Sequence, residues 1–189
     1  MFLTGFSGTL LQYCILTDDP MRAKILVAHH LEYAEPVYEN GDVFIYNGSY
    51  NGSGISLISA GSTPPPSCVK ELKSLGVSGL LYIGDCSSIR HPLRTVILNG
   101  DSALLDRAKK EASQIDVPIT ICDNFTAPYA AELHEQANQY GLSALSILTV
   151  SKNLRTNEET ENNPRTRLYP AATLAFELLG SHPHPQPEQ

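Results

Sequence analysis

Positive charge is scarce in this sequence. Thirteen Lys and Arg stand against twenty Asp and Glu, a net charge of −7. Nucleic acids and acidic membranes are gripped by cationic surfaces, so nonspecific binding to either is not expected. A small anion stays open as a ligand, because one local cluster of donors suffices. Cysteines number only four (Cys14, Cys68, Cys86, Cys122), far apart, with no CxxC and no Cys/His metal spacing. They read as reduced core thiols, and no metal or other cofactor is implied. A run long enough to span a bilayer is missing too. The apolar residues 1–16 have no basic leader and contain Thr4, Ser7 and Gln12, so a signal peptide is not expected. The sequons at Asn47, Asn51 and Asn124 then read as turn chemistry, and the expected location is cytoplasmic.

What the chain does have is a rhythm. Its 189 residues are 42% apolar, enough for one domain with a sizeable core. Buried-strand runs recur at 13–17, 43–46, 55–59, 79–84, 95–99, 119–122 and 144–151. The Asn-Gly pairs at 47–48 and 51–52 suggest a tight hairpin between the second and third runs. Helical patterns fill the gaps. One at 19–30 opens on Asp18-Asp19-Pro20, and one at 66–75 stops at Gly76. Others at 101–114, 130–140 and 166–179 end the series, the last two stopping at Gly141 and Gly180. Alternating strands and helices predict a three-layer α/β/α domain over 1–180, with a mixed, mostly parallel central sheet. Residues 181–189, with alternating prolines and His182 and His184, predict a disordered or extended tail.

Open α/β sheets bind ligands at the carboxyl ends of their strands. Those ends bring Asp18, Asp19 and Arg22, then 60–63 and 84–88, then Lys152 and Arg155. The two Gly/Ser segments are candidates to present backbone N–H groups to an anion.

At these residues the chain resembles the nucleoside phosphorylase superfamily, most closely the hexameric bacterial type of purine nucleoside phosphorylase. Residues 146–160, Ser-Ile-Leu-Thr-Val-Ser-Lys-Asn-Leu-Arg-Thr-Asn-Glu-Glu-Thr, are similar to that family's Thr-Val-Ser-Asp-x-x-Arg-Thr-x-Glu segment. Asn47-Gly-Ser-Tyr-Asn-Gly52, Pro66-Ser-Cys68, Lys70-Glu-Leu72 and Leu81-Tyr-Ile-Gly-Asp-Cys86 follow in the family's order. The resemblance implies phosphorolysis of a nucleoside's N-glycosidic bond. Arginines and amides hold phosphate, a Glu grips the ribose, and an Asp protonates the leaving purine, a proton delivery worth roughly 10²–10⁴ in rate.

Carried over residue by residue, the working groups differ. The first-loop arginine is matched by Arg22, but the glycine before it by Asp18 and the serine after the Ile-Gly pair by Asp85. The arginine before that pair is matched by Tyr82, and the one lent by a neighbouring subunit falls near Gly41. The Gly-x-Gly-Met-Gly segment falls on 59–65. The ribose-binding Glu-Met-Glu falls on Ala127-Pro128-Tyr129, and a base-pocket loop and helix are absent between Phe125 and Tyr129. The catalytic Asp is matched by Lys152, whose ammonium, with an ordinary pKa of about 10.4, releases a proton reluctantly. Arg165 or Arg155 is the counterpart of the arginine that assists it.

The candidates are therefore Lys152, Asp85 and Arg165 for catalysis, Arg22, Ser87 and Arg155 for an anion, and Phe125, Tyr129 and Tyr82 for a nucleoside. Asp85 and Lys152 are expected to pair at the strand ends. His29-His30, His91 and His134 read as surface or structural residues. The resulting expectation is a diverged phosphorylase that no longer performs normal phosphorolysis. The alternative is an active phosphorylase, nucleosidase or transferase with altered acid/base groups. The resemblance further implies a homo-oligomer built from dimers, with 43–50 as an edge for pairing, and a nucleoside, base or related small molecule as ligand.

Overall fold

The computed structural model describes residues 3–122, 125–160 and 169–180. Strand and helix alternate as the pattern predicts: β1 (Tyr13–Thr17), α1 (Pro20–His30), β2 (Glu32–Asn40), β3 (Val43–Tyr50), β4 (Ser53–Ser59), α2 (Pro65–Ser74), β5 (Gly79–Ser88), β6 (Val96–Gly100), α3 (Ser102–Gln114), β7 (Ile119–Ile121), α4 (Ala130–Tyr140), β8 (Ser143–Asn153) and α5 (Tyr169–Gly180). The strands form one eight-stranded sheet in the order β2-β3-β4-β1-β5-β8-β6-β7. β4, β1, β5 and β8 run parallel, while the β2-β3-β4 meander and the β6–β8 pair are antiparallel.

Period-two alternation sends neighbouring side chains to opposite faces. Along β5, Leu80, Tyr82 and Cys86 join one core with Cys68, Val69 and Leu72 of α2 and Leu133 and Ala137 of α4. Leu81 and Ile83 join the other, with Ala23 and Leu26 of α1, Ala108 and Ala112 of α3, and Phe176 of α5. That is the three-layer α/β/α arrangement expected. Helix ends follow their local chemistry. Asp19 Oδ1 accepts from the Met21 and Arg22 N–H groups (2.8 and 3.2 Å) ahead of Pro20, and Asp101 caps α3 in the same way. Gly141 ends α4 at φ +65°, where a side chain would be strained.

Two details correct the expectation. The hairpin turn is Asn51-Gly52 alone (φ +50° and +79°), and Asn47-Gly48 lies within β3. A Cβ on Gly48 would sit 3.0 Å from the Glu32 carbonyl oxygen, so this glycine serves a close backbone approach. β3 is flanked on both sides, and the exposed edge is β2, which carries Pro36. The helix expected from 166 is described from Tyr169 onward, and the 181–189 tail lies outside the described residues. Among the described residues, no helix is long and apolar enough to cross a membrane.

Candidate functional site

β1 and β5 are adjacent and parallel, so Thr17, Asp18 and Asp85 reach the same end of the sheet, where α1 starts. Arg22, one turn into α1, is 5% exposed and turns its guanidinium back to the strand ends. Nη1 donates to Asp18 Oδ1 (3.0 Å), the Ile83 carbonyl (3.2 Å) and Thr17 Oγ1 (3.4 Å). Nη2 donates to Asp85 Oδ2 at 2.6 Å. The Tyr82 hydroxyl donates to the other Asp18 oxygen at 3.2 Å. Gly84 makes room for that ring: a Cβ there would lie 2.6 Å from the Tyr82 oxygen. Burial, followed by the Asp18 charge, pushes the Tyr82 phenol above its usual range, so it stays a neutral donor. One buried cation is thus shared between two carboxylates. Its Nε is, with Thr149 Oγ1, a buried polar atom without a hydrogen-bond partner among the described residues.

Most other candidate anion donors of these loops are engaged within the chain. Asp19 takes the first-turn amides of α1. Ala60 N–H donates to the Thr17 carbonyl (2.9 Å), Gly61 N–H to Ser59 Oγ (3.3 Å) and Thr63 N–H to the Ala60 carbonyl (3.0 Å). Prolines 64, 65 and 66 remove the amides that α2 would offer at its start. Ser87 N–H donates to the Thr126 carbonyl at 2.8 Å. The expectation that the two Gly/Ser segments present free N–H groups is therefore corrected at Ala60, Gly61, Thr63 and Ser87.

Lys152 lies elsewhere in this network. A bulge shifts the β5–β8 register between Cys86 and Ser87, and Lys152 then stands opposite Ser87. Its ammonium pairs with Glu159 Oε1 at 2.5 Å, with side chains 37% and 60% exposed. The expected Asp85–Lys152 pair is replaced by Asp85–Arg22 and Lys152–Glu159. Tyr82, expected at a nucleoside, is buried in the core beneath Asp18. Tyr129 is half-buried at the start of α4, packed on the core, and Arg155 is exposed in the turn after β8. Arg165 lies outside the described residues.

Ser87 and Phe125 do come together. They line a cleft of about 420 Å³ with Ser88, Ile89, Arg90, Thr126 and Leu154. Phe125 and Thr126 also wall a second hollow of about 300 Å³ with Asn99, Ala127 and Ala131. Sequence reasoning missed Arg90, Ile89 and Leu154. Their loops are brought together by the Leu154 N–H to Ser88 carbonyl bond (2.9 Å), a pairing that no local pattern announces. Nearby, Cys122 Sγ lies 3.4 Å from His91 Nε2. Burial pushes the thiols of Cys14, Cys68 and Cys86 each up to about 12, so they stay protonated in the core as expected.

An open strand-end site on a three-layer α/β sheet, bordered by β1, β5 and β8, defines the class: an α/β domain with its candidate small-molecule site at the strand ends. No family model matches the chain. It is 27% identical to a DeoD-type purine nucleoside phosphorylase of Bacillus velezensis, over 84% of this chain and 89% of that protein. The corresponding Bacillus subtilis protein is also 27% identical, with the same coverage. Among solved structures, purine nucleoside phosphorylase from Toxoplasma gondii, in complex with immucillin-H, superposes with TM-score 0.82 at 12% identity, covering 90% of this chain and 91% of that one. A uridine phosphorylase from Vibrio fischeri superposes with TM-score 0.76 at 19% identity, covering 92% and 93%. The chain is thus distantly similar to DeoD-type purine nucleoside phosphorylases and shares the fold of the two solved phosphorylases. The B. velezensis alignment runs 207 residues, whereas 84% of 189 is about 159, so about 48 positions of the relative have no counterpart here.

Proposed function

We propose that this chain is a phosphorylase-fold protein that keeps a small-molecule site but does not perform normal phosphorolysis. The single observation that carries the reading is Arg22 held by Asp18 at 3.0 Å and Asp85 at 2.6 Å. A phosphate arriving there would have to displace two carboxylates and then sit beside them, and like charges at contact distance repel. The engaged amides of Ala60, Gly61 and Thr63 and the prolines at the start of α2 support the same conclusion. For the leaving base, Lys152 is paired with Glu159 and faces solvent, which suits a surface ion pair better than a proton donor. The short chain between Phe125 and α4 leaves no room for the base-pocket helix that the resemblance implies.

A cytoplasmic, single-domain homo-oligomer that takes a nucleoside, base or related molecule completes the reading. In this reading the exposed strand for contact between copies is β2 rather than β3. The test is direct. Purified protein with inosine, adenosine or uridine and phosphate should release no free base above background. Release at ordinary enzyme turnover, about 1 s⁻¹ or faster, would end the proposal in favour of an active N-glycosidic enzyme with new acid/base groups.

A further inference from the structure

The cleft over Ser87 and Phe125 holds a cation that the strand-end network does not use. Arg90 lines the cleft, and its guanidinium has no partner among the described residues. Arg155 and Arg94 stand in turns close by in sequence, exposed, and their guanidinium groups have no partner among the described residues either. In a chain of net charge −7, Arg90 sets a positive charge, without a partner among the described residues, in the wall of this cleft. Of the carboxylates nearby in sequence, Asp85 is paired with Arg22 and Glu159 with Lys152, while Glu158 accepts from the neutral Thr156 hydroxyl at 2.8 Å and keeps its charge.

The backbone around these arginines is fixed in advance. Ser88 Oγ accepts from the Arg90 and His91 N–H groups (3.2 and 3.1 Å). Asn153 Oδ1 accepts from the Arg155 and Thr156 N–H groups (2.9 and 3.1 Å), while its Nδ2 donates to the His91 carbonyl at 3.3 Å. A site whose loops are ordered before binding spends less of its interaction energy on ordering them. The rest of the lining is a ring surface, Phe125, flanked by the exposed apolar side chains of Ile89 and Leu154, with hydroxyls from Ser87, Ser88 and Thr126. A volume of about 420 Å³ falls within the range of small-molecule sites.

We propose that this cleft binds a small molecule joining a planar ring to its own phosphate or carboxylate, with the ring along Phe125 and the anionic group at Arg90. The inference rests on the reading above, in which Arg22 is withdrawn from anion binding. Anion recognition has then moved from the buried strand ends to the cleft mouth. A neutral nucleoside would leave Arg90 unpaired, and inorganic phosphate would leave the ring surface and its apolar flanks unfilled. Only a molecule with both parts satisfies both walls.

Calorimetric titration of the full chain at low salt tests this with adenosine 5′-monophosphate, 1-naphthoate, adenosine and inorganic phosphate. At least one ring-bearing anion should bind about tenfold tighter than adenosine and phosphate do, and the two anions tell phosphate from carboxylate. Arg90→Ala should weaken that binding by about tenfold, Arg90→Lys by less, and added salt should weaken it in the parent chain. The proposal fails if adenosine binds as well as both ring-bearing anions, or if Arg90→Ala, folded by circular dichroism, binds unchanged. It also fails if neither ring-bearing anion saturates below about 10 mM. These outcomes leave the non-phosphorolytic reading standing, since free-base release tests that separately. Binding that inorganic phosphate displaces and Arg90→Ala does not alter would place the anion back at Arg22 and overturn both.

Discussion

Removing the Asp85 carboxylate isolates the strand-end network. In Asp85→Ala, Arg22 keeps Asp18 and the Ile83 carbonyl but loses its shortest bond, 2.6 Å. Stripping one partner from a buried ion pair costs about 3–5 kcal/mol, and a charge-assisted hydrogen bond is worth about 1.5–3 kcal/mol. Arg22 is 5% exposed but Asp85 is 21% and Asp18 32%, so water and the second carboxylate soften the loss. The expected cost is about 2–3 kcal/mol, which for a chain of this size lowers the melting temperature by about 4–12 °C. Asp85→Asn, which keeps an acceptor, should lose about half as much. Urea melts by circular dichroism should show a lower midpoint at unchanged slope. Inorganic phosphate should then distinguish the two proteins. In Asp85→Ala the freed guanidinium takes the anion, and phosphate at a hundredfold over its dissociation constant restores about 2.7 kcal/mol. The parent chain should respond no more to phosphate than to chloride of equal ionic strength. A variant melting within about 1 °C of the parent, or equal responses to phosphate, would refute the reasoning.

Other consequences are simpler. Lys152→Ala breaks an exposed pair and should cost no more than about 1 kcal/mol, a melting shift of at most about 4 °C; a larger loss would mean that Lys152 supports the site. Of the four thiols, Cys122 alone is half-exposed. A disulfide reagent should titrate it first, with Cys14, Cys68 and Cys86 reacting only on unfolding; four fast equivalents would contradict the buried assignment. Burial holds His134 below the usual histidine value, so the folded state resists its protonation. Stability from this group is full above about pH 6.5 and falls with pH from there down through the lowered folded value, with His30 acting in the same sense. His134→Gln should flatten the melting curve between pH 7 and 5, and an unchanged slope would remove His134 as its cause.

Much of this was legible in the residues. The apolar runs located seven of the strands, and capping by Asp19 and Asp101 and the stop at Gly141 set helix ends closely. β2 was not legible because Glu-Tyr-Ala-Glu-Pro-Val-Tyr-Glu-Asn is a polar edge with two register shifts, so neither alternation nor burial marks it. At the strand ends, Asp18, Arg22 and Asp85 could be singled out from the sequence, but not that they would close on one another. That requires knowing that β1 and β5 are neighbours and that Arg22 turns inward. The pairing of Lys152 was missed because the bulge after Cys86 and the bridge to Glu159 are set by tertiary register.

Inorganic phosphate titrated into the unaltered chain asks most plainly whether its own acids have taken the place of the dianion. The account predicts no saturable heat attributable to Arg22 up to tens of millimolar phosphate (about the weak limit of specific binding). Saturation below about 1 mM that disappears when Arg22 is replaced by Met would contradict it.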